Sequence, residues 1–137
     1  MKKFVAIFIL LVGIMFNCCA CDSEKSVVLF NSVPFSKETI FSQTNTNVFK
    51  PNQRIYFLIT LPKEVETQML LLQVVKMGSQ DRLGYELVWG KRIKIRSEEV
   101  HYYTDYFVFN EKGSYIIKVY SRDNPTKILT TANFFIK

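Results

Sequence analysis

Three cysteines, Cys18, Cys19 and Cys21, fall within four residues of one another, and no other cysteine occurs in the 137-residue chain. Thiols can pair as disulfides, hold a metal or act as nucleophiles. A secreted domain stapled by disulfides distributes its cysteines along its length, and a Cys/His zinc site adds histidines at ligand spacing. His101 is the single histidine. The clustered thiols therefore fit neither a disulfide staple nor a zinc site.

Catalytic constellations are hard to assemble from the rest. Ser97, His101 and Asp105 stand four residues apart, but a Ser-His-Asp triad is a spatial arrangement and no Gly-x-Ser-x-Gly elbow supports one. The plainer reading puts Ser97 to His101 in a polar loop. The five glycines never form a phosphate-cradling loop, and the acids show no Asp-x-Asp-x-Asp pattern. Glu98-Glu99 and the Glu64/Glu66 pair read as surface acids. No metal, no cofactor and no enzymatic activity are expected.

Binding chemistry is better represented. In Lys91-Arg92-Ile93-Lys94-Ile95-Arg96, a strand would turn Arg92, Lys94 and Arg96 to one side and Ile93 and Ile95 to the core. Such a stripe is commonly the wet face of a sheet. Its functional reading is contact with sulfated glycan, anionic lipid headgroups or an acidic partner, with Lys91 and Arg82 as candidates to enlarge it. The run Tyr102-Tyr103-Thr104-Asp105-Tyr106-Phe107-Val108-Phe109 is too aromatic for both faces to be buried easily in two layers, so one set should fill the core. Tyr102 and Tyr106 are candidates for a recognition surface, because tyrosine contributes area and a hydroxyl at low entropic cost. The competing explanation is cross-strand packing with Tyr56, Tyr85 or Tyr120.

The elements that position these residues start with a leader. Met1-Lys2-Lys3 is positively charged, and Phe4 to Phe16 runs thirteen residues without a charge. Spanning hydrocarbon takes roughly 17–25 apolar residues, so the profile is that of a signal peptide rather than a permanent anchor. Its cysteine-rich end resembles a bacterial lipoprotein signal, in which a cysteine just past the apolar run is acylated and becomes the mature N-terminus. Cys18 follows Met15-Phe16-Asn17, a loose signal similar to those of spirochaetal lipoproteins. Cys21 follows the preferred small residue Ala20, and Cys19 would follow Cys18. Cys18 is favoured, with Cys21 and Cys19 as alternatives. Residues 1–17 then form the signal peptide, 18–26 the acylated cysteine and a short tether, and 27–137 the folded domain. Because Lys2 and Lys3 fall in the leader, the formal charge drops from +6 to +4 beyond it. That excess is modest, and no nucleic-acid partner is expected.

From Val27 onward, short apolar or alternating runs rich in β-branched and aromatic residues are separated by turn chemistry. Strands are predicted over Val27–Phe30, Arg54–Leu61, Met69–Met77, Gly84–Trp89, Arg92–Arg96, Tyr102–Phe109, Ser114–Ser121 and Ile128–Ile136. Seven or eight strands at this spacing imply an all-β antiparallel sandwich in one domain. Alternation puts Ile55, Phe57, Ile59 and Leu61 on one side, and sets Tyr115, Ile117 and Val119 against Ile116, Lys118 and Tyr120. Glu111-Lys112-Gly113-Ser114-Tyr115-Ile116-Ile117 resembles the acid-x-Gly-x-Tyr-x-Cys start of an immunoglobulin-like F strand, with Ile117 where antibody domains place cysteine. The resemblance implies a tyrosine hydroxyl bonded back to upstream backbone, in a sandwich without an inter-sheet disulfide.

These readings together lead us to expect a lipid-anchored lipoprotein of the cell envelope, favoured at the outer membrane or cell surface. Its domain would bind a protein or anionic glycan without catalysis. A periplasm-facing structural or assembly subunit is the alternative, and a hydrolase of unknown type ranks third.

Overall fold

The computed structural model describes residues 25–36, 38, 40, 42, 44–61, 69–78, 84–95, 102–123 and 126–137. The strands are β1 (Val27–Asn31), β2 (Val48–Phe49), β3 (Arg54–Thr60), β4 (Met69–Met77), β5 (Tyr85–Lys94), β6 (Tyr102–Val108), β7 (Gly113–Ser121) and β8 (Ile128–Ile136). They form a three-stranded sheet, β1-β3-β6, and a five-stranded sheet, β2-β8-β7-β4-β5. The all-β two-sheet architecture expected from the alternating runs is present.

Two details differ from the sequence expectation. The runs predicted as separate strands around Gly90 are one continuous strand, β5, paired with β4 from Met69–Lys94 to Met77–Tyr85. A register shift between Val74 and Val75 leaves Val88 as the extra residue of a bulge. The other difference is β2, two residues that pair in parallel with Phe135 and Ile136 of β8, whereas the remaining ladders are antiparallel.

Alternation fills the space between the sheets as predicted. Ile55, Phe57 and Ile59 of β3 are buried against Leu70, Leu72 and Val74 of β4 and Ile117 and Val119 of β7 in one apolar cluster. An aromatic chain runs through it. Phe49 of β2 meets Phe134 of β8, Phe134 stacks on Phe107 of β6, and Phe107 stacks on Phe57, with centroid distances of 6.4, 5.2 and 5.2 Å. Trp89 of β5 packs 5.6 Å from Phe107 and 6.1 Å from Phe57, which makes it a core aromatic. Offset and tilted ring pairs of this kind are worth about 0.5–1.5 kcal/mol each beyond the area they bury.

The corner before β7 is built as the Gly-x-Tyr motif implies. The Tyr115 hydroxyl donates to the Glu111 carbonyl at 2.7 Å, and its ring is buried. Gly113 precedes it at φ +152°, where an added Cβ would lie 3.1 Å from Lys76 Cε. A side chain there would meet both backbone strain and a tight contact. Tyr115→Phe keeps the ring and leaves the Glu111 carbonyl without that donor. It is expected to lower the unfolding free energy by about 1 kcal/mol, read as a reduced urea midpoint at unchanged slope.

Candidate binding faces

Pleating and strand order decide which candidate residues share a surface. In β5, Trp89, Lys91 and Ile93 stand on the core side, opposite Val74, Leu72 and Leu70, all fully buried. Arg92 and Lys94 therefore project from the outer face of the five-stranded sheet, opposite Leu71 and Met69. This is the division expected of the basic stripe, with Ile93 and Ile95 packed against the core. Arg96 lies outside the described residues, as do Arg82, Ser97, His101 and Cys18, Cys19 and Cys21.

Strand order enlarges the stripe with residues that are distant in sequence. β7 lies on the other side of β4 from β5. Its register sets Tyr120 beside Leu71 and Lys118 beside Gln73, on the same outward side as Arg92. The Lys118 ammonium sits 5.1 Å from the Tyr85 ring centroid. Just past β7, Arg122 Nη1 approaches Met69 Sδ at 3.7 Å. Three cations from two non-adjacent strands and a fourth just past β7 thus share one face, interleaved with tyrosine and aliphatic side chains. The parity of Lys118 could be read from its own strand, but its nearness to Arg92 follows from the β5-β4-β7 order.

Lys91 does not enlarge this patch, because the pleat turns it to the other side. It forms an ion pair with Asp105 of β6, whose Oδ2 also accepts the Tyr103 hydroxyl at 2.9 Å. Asp105 Oδ1 accepts the backbone N–H of Tyr106 at 2.8 Å. Burial alone would push the Asp105 carboxyl up, but the hydrogen bonds from Lys91, the Tyr106 N–H and Tyr103 outweigh it and hold the pKa below the ordinary value. The bonds to Asp105 and Tyr103 likewise raise Lys91 above the ordinary lysine range. This cluster ties β5, an edge strand of one sheet, to β6, an edge strand of the other. A charge pointing inward from an edge strand is a device that blocks edge-to-edge pairing, as is the bulge at Val88.

The aromatic strand divides as its parity suggests. Phe107 is buried, and Tyr103 and Phe109 pack on the core. Tyr102, Tyr106 and Val108 are opposite Thr60, Tyr56 and Arg54 on the outward side of the three-stranded sheet. Tyr106 is 45% exposed. Its ring lies 5.7 Å from that of Tyr56, the cross-strand pair that competes with a recognition role, and the Arg54 guanidinium sits 5.1 Å from its centroid. Leu58 stands on this same outward side, opposite Leu29 and Thr104, yet it is fully buried. The outer face is therefore covered at its middle, while Tyr106 and Val108 remain open beside it. Arg92 and Lys94 on one outer face and Tyr102 and Tyr106 on the other cannot form a single site. Among the described residues, no group of three or more His, Cys, Asp or Glu side chains is placed to hold a metal ion.

No protein-family model matches the chain, and no curated protein matches it. Among solved structures, the PmoD soluble domain from Methylocystis sp. ATCC 49242 (Rockwell) is similar, with TM-score 0.50, 12% identity, and coverage of 88% of this chain and 99% of that one. A superoxide reductase (neelaredoxin) from Ignicoccus hospitalis aligns with TM-score 0.49 and 12% identity, over 88% of this chain and 86% of that one. At this identity the likeness concerns the β-rich fold alone.

Proposed function

We propose that this chain is a lipid-anchored protein of the cell envelope whose sandwich domain binds a protein or glycan partner without catalysing a reaction. The observation that carries the binding half is the open patch on the three-stranded sheet. There Tyr106 stands exposed with Tyr56 and Arg54 around its ring. An exposed tyrosine packed on a half-buried one and capped by an arginine supplies rigid contact area, hydroxyl groups and a cation, the side-chain types enriched where proteins bind partners. The anchoring half is supported by the leader and by the confinement of all cysteines to its end. Two or more acyl chains would hold the domain stably on a bilayer, where a single chain binds only marginally.

Metabolic labelling with a fatty acid tests the anchor. Label is expected in the full chain and lost when Cys18, Cys19 and Cys21 are all replaced by Ala; label that survives the triple replacement rejects it. The binding face is tested in cells by a photo-crosslinking residue in place of Tyr106. A discrete adduct is expected there and not with the same residue in place of Asn133, on the outward side of the other sheet. Equal adducts at both positions would reject the face. Protease added to intact cells then separates surface display, in which the domain is cut, from a periplasm-facing assembly role, in which it is spared.

A further inference from the structure

The outer face of the five-stranded sheet has the composition of a surface that lies on charged lipid. Arg92, Lys94, Lys118 and Arg122 project from it or lie along it. Within the strands of this sheet the only carboxylate is Glu86, and it is opposite Lys76, whose partner on β7 is the buried Tyr115, so the register turns it to the other side. The face is also apolar where it is open: Leu87 is 56% exposed, Ile128 52%, Met77 41% and Tyr85 39%. Cations arrayed beside exposed aliphatic and tyrosine side chains suit the headgroup boundary of a bilayer. Phosphates there meet the cations, and acyl chains and glycerol meet the apolar groups. A sulfated glycan would satisfy the cations but would leave Leu87, Met77 and Ile128 facing water.

We infer that this face docks on a bilayer containing anionic lipid. The sandwich then lies flat, with the Tyr106 patch on the opposite sheet turned away from the membrane. The basic end is formed where β5 ends at Lys94, beside Met69 and Arg122, and the apolar end where Met77 pairs with Tyr85. The inference rests on the proposed membrane attachment only in that attachment delivers the domain to a surface.

Amine footprinting of the full chain on vesicles tests it, with flotation recorded in parallel. Flotation with pure phosphatidylcholine vesicles reports attachment, and the contrast between vesicle types reports the face. When about a third of the lipid is phosphatidylglycerol, acylation of Lys94 and Lys118 is expected to slow at least about threefold relative to pure phosphatidylcholine. Lys50, in the turn that leads from β2 into the three-stranded sheet, should change little, and high salt should erase the contrast. Arg92→Gln combined with Arg122→Gln, which alters exposed side chains only, should reduce the protection of Lys94 and Lys118. Equal rates on the two vesicle types in a chain that floats overturn the inference. So does protection that arises only when a sulfated polysaccharide is added, which would make the face a glycan site.

Discussion

Phe134→Ala is expected to lower the unfolding free energy by about 3–5 kcal/mol, the range for deleting a fully buried phenylalanine ring. The size follows from where the ring sits. Phe134 is fully buried on β8, and five other rings surround it. Phe30, Phe107 and Tyr115 have centroids 5.1, 5.2 and 5.2 Å away, and Phe109 and Phe49 lie at 6.2 and 6.4 Å. Phe30 and Phe107 belong to the three-stranded sheet and Phe134 to the five-stranded one, so the lost ring is a contact between layers. Neighbouring strands hold those rings in place, and the site cannot collapse to fill the void.

A domain of this size is stable by about 5–15 kcal/mol in total, so the variant should lose a large fraction of its stability. Phe135→Ala, one residue on and on the outward side, should cost less than about 1 kcal/mol. Urea unfolding followed by the fluorescence of Trp89, the single tryptophan, compares the two directly, since Trp89 packs in the same aromatic chain. Equal losses for the two variants would show that the rings around Phe134 do not hold the layers together.

Local signals account for much of what could be read from the sequence, and long-range pairing for what could not. Apolar, β-branched and aromatic composition between turn residues located Met69–Met77 and Ile128–Ile136 with the bounds they have in the structure, because such side chains suit a packed, pleated surface whatever lies across from them. Gly90 illustrates the limit. Glycine weakens a strand and reads as punctuation, yet pairing with Gln73 of β4 carries β5 through it. The two residues of β2 are too few to show any period, and they are a strand only because the end of β8 runs beside them. The same distinction governs the candidate sites. That Arg92 and Lys94 face outward is a property of one strand, whereas their separation from Tyr102 and Tyr106 by the whole thickness of the sandwich is a property of the topology. The arrival of Lys118 and Arg122 beside the basic stripe depends on β7 pairing with β4 across a gap of more than thirty residues. No local pattern encodes that.

Asp105→Asn should destabilise the domain at neutral pH and lose its effect in acid. Asp105 is the acceptor at the centre of the edge-to-edge cluster, taking hydrogen bonds from Lys91, Tyr103 and the Tyr106 N–H. Its folded pKa is depressed below the ordinary 3.8. A carboxyl with a depressed folded pKa contributes stability that is fully present above its unfolded pKa and is lost as the pH falls through the folded one. The wild-type domain should therefore lose this contribution below about pH 4, where the unfolded chain takes up the proton first. The amide of Asn keeps an oxygen to accept from Tyr103 but removes the charge that Lys91 faces, at a cost of about 1–2 kcal/mol for a partly buried charged hydrogen bond. Lys91 does not reverse the sign, because its raised pKa keeps it protonated throughout this range and matters only in strong alkali. Urea midpoints for wild type and Asp105→Asn from neutral pH to about pH 3 should converge as the acid limb is descended. A gap that stays constant over that range would mean that Asp105 acts through shape alone, and that the tie between the two edge strands does not depend on charge.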